Sequence, residues 1–74
     1  MPHVNIKHFP TELSEERQSE LVLAVTQAVR NAFGCDEGVI SIALEPVTKD
    51  DWNELVYGPE IEQRRDLLRK IPSY

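Results

Sequence analysis

The chain has 74 residues and a formal net charge of −5, and a domain of this size buries only about 60% of the surface its unfolded form exposes. The acidic balance argues against a nucleic-acid partner, which would select a basic surface, and no apolar run is long enough to span a membrane. Cys35 is the one cysteine and His3 and His8 are the only histidines, so an intrachain disulfide is excluded and strong metal ligands are too few.

With neither disulfide nor metal, oligomerisation is the remaining way to stabilise so small a core. The free thiol and the lack of an apolar leader segment predict a cytoplasmic protein.

In chain order, the first informative residue is Pro2. A small second residue favours removal of Met1, which leaves a secondary amine held in a rigid ring. An ordinary α-amino group titrates at about 7.7–8.0, and burial lowers that value by disfavouring the ammonium form. Such an amine is a base near neutral pH. While Met1 stays attached, the same nitrogen is a tertiary amide with no proton and no basic lone pair.

Pro2 opens a strand pattern running from His3 to Phe9. Val4 and Ile6 fall on one face, and His3, Asn5 and Lys7 on the other. Pro10 closes it. Ser14 is the expected N-cap of a long helix, with Glu15 and Glu16 suited to the positive end of its dipole. Leu21, Val25, Ala28 and Ala32 recur at helical spacing up to Phe33, Val22 and Val29 widen the stripe, and Gly34 is the expected C-cap.

A second strand is predicted over Val39 to Val47, with Ile40, Ile42 and Leu44 sharing one face. Strand, long helix, strand is the order of a βαβ unit with parallel strands. Asp50 to Leu55 reads as a short helical turn and Gly58-Pro59 as a break. Pro59 suits the first position of a last helix carrying Ile61, Leu67 and Leu68, with Pro72 beyond it. On that helix the basic residues Arg64, Arg65, Arg69 and Lys70 are expected to complete i,i+4 and dipole pairings. A two-stranded sheet cannot cover both faces and both edges by itself, so the pattern calls for a partner, most simply a second copy.

The segments PHVNIKHFP, ELSEERQSEL, ISIALEPV and DDWNEL, with a C-terminal part ending RKIPSY, stand in an order and spacing that resembles the 4-oxalocrotonate tautomerase superfamily. Within it they are most similar to the dimeric bacterial tautomerases that act on the enol of phenylpyruvate. The likeness covers essentially the whole chain, as a single tautomerase domain over residues 1–74. It implies an α+β tautomerase fold: two parallel strands, one long helix and a short C-terminal helix, with the sheet completed by oligomerisation.

It also implies that Pro2, once terminal, is the general acid/base that moves a proton between the oxygen and carbon of a keto–enol pair. One group of near-neutral pKa can serve both atoms if the substrate stays in place. No cofactor or metal is called for. Trp52 matches the aromatic residue that lines the family's active site, where it can pack on an aryl group and exclude water.

Two arginines that bind substrate carboxylates in the larger hexameric members are absent. Thr11-Glu12 stands at one position and Ile40 at the other. The loss agrees with the phenylpyruvate-acting branch and leaves the carboxylate-binding group unassigned; nothing in the sequence aims Lys7, Arg17 or Arg30 at Pro2. Trp52, Phe9 and Ile40 are therefore the expected substrate-binding residues, and a 2-oxo acid enol with an aromatic or apolar tail the expected substrate.

Other readings keep the same residues. Proline-dependent dehalogenation or decarboxylase-type hydration would use the same amine, and a non-catalytic oligomeric interaction protein would use only the fold. Core or interface packing accounts for Trp52, Phe9 and Ile40 without chemistry. His3 and His8 have odd spacing and face opposite sides of a strand, so they are expected at the surface or an interface. Cys35 lies beside Asp36 and Glu37, which do not stabilise a thiolate.

Overall fold

The computed structural model describes all 74 residues, Met1–Tyr74. Strand β1 (His3–His8) leads to helix α1 (Glu15–Phe33), a 3-10 turn (Glu37–Val39) and strand β2 (Ser41–Pro46). A short helix, α2 (Lys49–Trp52), runs on into a wider π-type helical segment (Asn53–Glu62), and a last 3-10 turn covers Arg65–Leu67.

The two strands pair in parallel, with His3 opposite Ser41 and His8 opposite Pro46. Parallel pairing requires a crossover, and α1 supplies it. The α1 boundaries follow from local chemistry. Ser14 Oγ accepts from the Arg17 N–H at 3.2 Å, and such a cap contributes about 1 kcal/mol. At the other end Gly34 takes φ 63°, a left-handed conformation that costs a side-chain-bearing residue about 1–2 kcal/mol, and its N–H donates to Arg30 O at 2.9 Å.

Helix α1 lies across the face that carries Val4, Ile6, Ile42 and Leu44. Gln18 shares a cavity with His8 and Leu44, while Val29 and Phe33 share another with Pro2 and Val4. The helix therefore runs back along the strands, and its C-terminal end sits by the head of β1.

β2 is shorter than the predicted Val39–Val47. The 3-10 turn takes up the start, with Val39 and Ile40 N–H donating to Asp36 O and Glu37 O, both at 3.2 Å. At the far end one more bond, Val47 N–H to His8 O at 2.8 Å, extends the pairing before Thr48 takes the N-cap position of α2.

The C-terminal part corrects the expectation of a helix starting at Pro59. Pro59 lies inside the π-type segment, and Gln63 N–H donates to Gly58 O, five residues back, at 3.0 Å. A wide turn moves the i−4 carbonyl away from the proline ring, which removes the clash that ends an α-helix. The glycine before it has its own reason: a Cβ on Gly58 would lie 3.2 Å from Asn53 O. Beyond Glu62 only the three-residue turn is helical, and the predicted pairings of the basic residues do not form. Arg69 instead donates to the backbone oxygens of Asp66 and Leu68.

Only Val47 and Val56 are buried, while Phe33 is 71% and Leu23 59% exposed. The sheet has just two strands. A single chain thus leaves its sheet incomplete, as expected of a subunit that oligomerises.

Candidate active site

The predicted site residues divide between the two ends of the sheet. Pro2 and Ile40 occupy the head. Each immediately precedes a paired residue, His3 and Ser41, and Ser41 N–H donates to Pro2 O at 3.2 Å. Their positions make them neighbours across the two strands, and strand alternation puts both on the α1 face with Val4 and Ile42. Pro2 is half-buried in a cavity of about 440 Å³ lined by Met1, His3, Val4, Val29 and Phe33. Met1 is fully exposed.

On the opposite face at the same end, His3 Nδ1 and Ser41 Oγ lie 2.6 Å apart. His8 at the other end uses its Nδ1 on Phe9 O at 2.7 Å. The two histidines do not meet, as their spacing predicted.

Phe9 and Trp52 sit at the tail. Their rings meet edge to face with centroids 4.9 Å apart, a geometry worth about 0.5–1.5 kcal/mol beyond area burial. Trp52 Nε1 donates to the Tyr74 hydroxyl at 3.2 Å, and the Tyr74 ring stacks, tilted, on Tyr57 at 5.7 Å. Together Phe9, Lys49, Trp52, Asn53 and Tyr74 line an open groove of about 580 Å³.

Head and tail are separated by the length of β1. At about 3.3 Å per residue, Pro2 and Phe9 stand about 23 Å apart. One chain therefore brings Pro2 to Ile40 and Phe9 to Trp52, but not one pair to the other.

Lys49 and Asn53 were not among the residues singled out from the sequence. The signal was present: counted from Lys49, Trp52 and Asn53 fall at i+3 and i+4, one face of a helical turn. Lys7, one of the cations considered for the substrate, is already engaged by the Glu60 carboxylate. That hydrogen bond holds its pKa above the ordinary lysine value, outweighing partial desolvation, with the charges of Glu60 and Glu45 adding to the effect. No three His, Cys, Asp or Glu side chains gather where they could hold a metal ion.

A family model described as tautomerase enzyme matches residues 2–64. The chain belongs to the tautomerase family. Its two parallel strands, crossover helix and unfinished sheet are the family's small α+β, β-α-β fold. Proteins named Tautomerase PptA align over all 74 residues and 97% of their own length: that of Pectobacterium carotovorum subsp. carotovorum (strain PC1) is 35% identical, that of Klebsiella pneumoniae (strain 342) 36%, and that of Escherichia coli O139:H28 32%. This tautomerase is accordingly an isomerase, and no helix in it is long and apolar enough to cross a membrane.

Proposed function

We propose that this tautomerase interconverts the keto and enol forms of a 2-oxo acid without a cofactor, using Pro2 as general acid and base after Met1 is removed. The preferred substrate is a monocarboxylate with an aromatic or apolar tail, such as phenylenolpyruvate. Residues 1–74 act as one domain, and two copies form a homodimer in the cytoplasm.

The observation that carries the reading is the setting of Pro2. Its carbonyl is tied to the Ser41 N–H, which fixes the ring on a strand. No Lys, Arg, Asp or Glu lines its cavity, and Val4, Val29 and Phe33 supply apolar walls. Such surroundings disfavour the ammonium form and keep the amine available as a base. The neutral nitrogen takes the enol hydroxyl proton, and the resulting ammonium returns it to the α-carbon, so one group completes the cycle. Ile40, neighbour of Pro2 across the strands, is apolar where an arginine would favour a second carboxylate.

The distance between head and tail supports a pocket built from two subunits. A two-fold axis normal to the sheet sets the joined strands antiparallel. The head of one subunit then lies beside the tail of the other. Pro2 of one copy meets the Phe9–Trp52 pair of its partner, whose rings receive the substrate's tail.

The test is the rate of ketonisation of phenylenolpyruvate by protein whose mass confirms loss of Met1, with Pro2→Ala alongside. A rate well above buffer that collapses in the variant is expected. No rate above buffer, or an unchanged rate in the variant, overturns the reading.

A further inference from the structure

The missing arginines leave the substrate carboxylate without an assigned cation. We propose that Lys49 is that cation, and that the groove around it is a binding subsite for an aryl carboxylate. The aryl ring lies against Phe9 and Trp52, and the carboxylate meets the Lys49 ammonium with the Asn53 amide beside it. Its role in turnover rests on the tautomerase reading above; its role in binding does not.

Elimination and geometry support the same choice. Of the eight Lys and Arg residues, Lys49 alone lines any of the four cavities of the chain. It is also free, since the only ion pair present joins Lys7 to Glu60. A carboxylate therefore displaces no existing partner.

The neighbouring acids do not cancel it. Asp50 and Asp51 follow at i+1 and i+2 and project from other faces of the turn. The Asp51 carboxylate accepts from the Thr48 hydroxyl at 3.1 Å, which holds it toward the N-terminal side. Neither lines the groove.

The walls are held before any ligand arrives. The Trp52 ring is held by the edge-to-face contact with Phe9 and by the hydrogen bond from its Nε1 to the Tyr74 hydroxyl. Aromatic walls bound an aryl group, and one unpaired ammonium matches one carboxylate. In a chain of net charge −5, an anion is repelled from most of the surface and drawn to such a point.

The first test is binding, read from the fluorescence of Trp52, the single tryptophan. The probes are 3-phenylpropanoate and its neutral amide, 3-phenylpropanamide. Wild type should bind the acid about tenfold more tightly than the amide, the size of one charge-assisted hydrogen bond. Lys49→Ala should remove that preference and Lys49→Arg should keep it. Equal binding of acid and amide by wild type, unchanged acid binding in Lys49→Ala, or no binding of either overturns the assignment. Lys49 is exposed, and circular dichroism confirms that each variant keeps the fold.

Turnover separates this proposal from the one on which it rests. If phenylenolpyruvate is ketonised and Lys49→Ala raises KM while kcat changes little, both stand. Turnover indifferent to Lys49→Ala sinks the anchor alone. Acid-selective binding that depends on Lys49, with no turnover, sinks the tautomerase reading on this substrate and leaves the anchor.

Discussion

The two ends of the sheet differ in chemistry as well as position. The head, around Pro2, has apolar walls in Val4, Val29 and Phe33 and no Lys, Arg, Asp or Glu in its lining. The tail, at Phe9 and Trp52, is aromatic and carries a free ammonium and an amide. A base that works by staying neutral benefits from the first setting, whereas an anion with an aryl group is recognised by the second. Each end has what the other lacks, and in one chain they are about 23 Å apart by strand length. On the proposed reading, reaction and recognition fall to different ends, and a second copy is what would join them.

Pro2→Ala, in protein freed of Met1, should give the largest effect. It replaces the rigid secondary amine and should cost at least about a hundredfold in turnover, the lower end of what a positioned acid/base supplies. Binding of 3-phenylpropanoate, read at Trp52, should stay unchanged, because the tail is untouched. Weakened binding in this variant would show that the ends are not separable.

A mixing experiment sharpens the comparison. Pro2→Ala and Trp52→Ala homodimers should each be nearly inactive. Unfolded together and refolded in equal amounts, they should recover about a quarter of wild-type activity: half the dimers are mixed, and each mixed dimer has one intact site. Recovery is expected only if head and tail come from different subunits. A site contained in one chain gives none, and the assay decides between the two arrangements.

Gly34→Ala probes the head through stability alone. Nothing lies within 4 Å of a Cβ added there, so the penalty is the left-handed backbone at φ 63°, about 1–2 kcal/mol. Denaturant melts should show it as a lower midpoint with unchanged slope. A neutral result would mean that the end of α1 relaxes to another conformation.

The smallest effect belongs to Lys7 and Glu60, which tie the strand to the π-type segment. Glu60 raises the lysine pKa, so the folded state holds this proton more tightly than the unfolded chain. The resulting stability is fully present below the unfolded lysine value, about 10.4, and is lost as pH rises through the folded value. Wild type should therefore lose Tm more steeply than Glu60→Gln as pH rises above about 10.4. Parallel curves would show that the pair contributes nothing measurable in solution.

Much of the scaffold was legible because its signals are local. Ser14 and Gly34 mark the limits of α1 by hydrogen-bonding capacity and backbone freedom, and both do so in the structure. The alternation of Val4 and Ile6, and of Ile42 and Leu44, identifies the face that α1 covers. Pro59 misled because its two uses look alike in sequence. A proline after glycine starts an α-helix well, but it is also accommodated in a wide turn, and the close approach of Gly58 to Asn53 O is invisible without coordinates.

The site divided in the same way. Pro2 and Trp52 stood out by resemblance, and Phe9 by its place at the end of a strand. Lys49 did not, because a lone lysine before two aspartates reads as a solvated helix start. Only its shared face with Trp52 and Asn53, and the lack of a competing carboxylate, set it apart.

The closed ends of α1 also bear on the order of assembly. A segment that carries a cap at each end within its own sequence, Ser14 and Gly34 here, forms turns at a rate independent of protein concentration. The sheet, lacking strands of its own to finish it, has no such independence. Refolding should then separate into a concentration-independent gain of helix and a slower bimolecular step in which the catalytic pocket comes into being, so that dilution delays activity more than it delays structure.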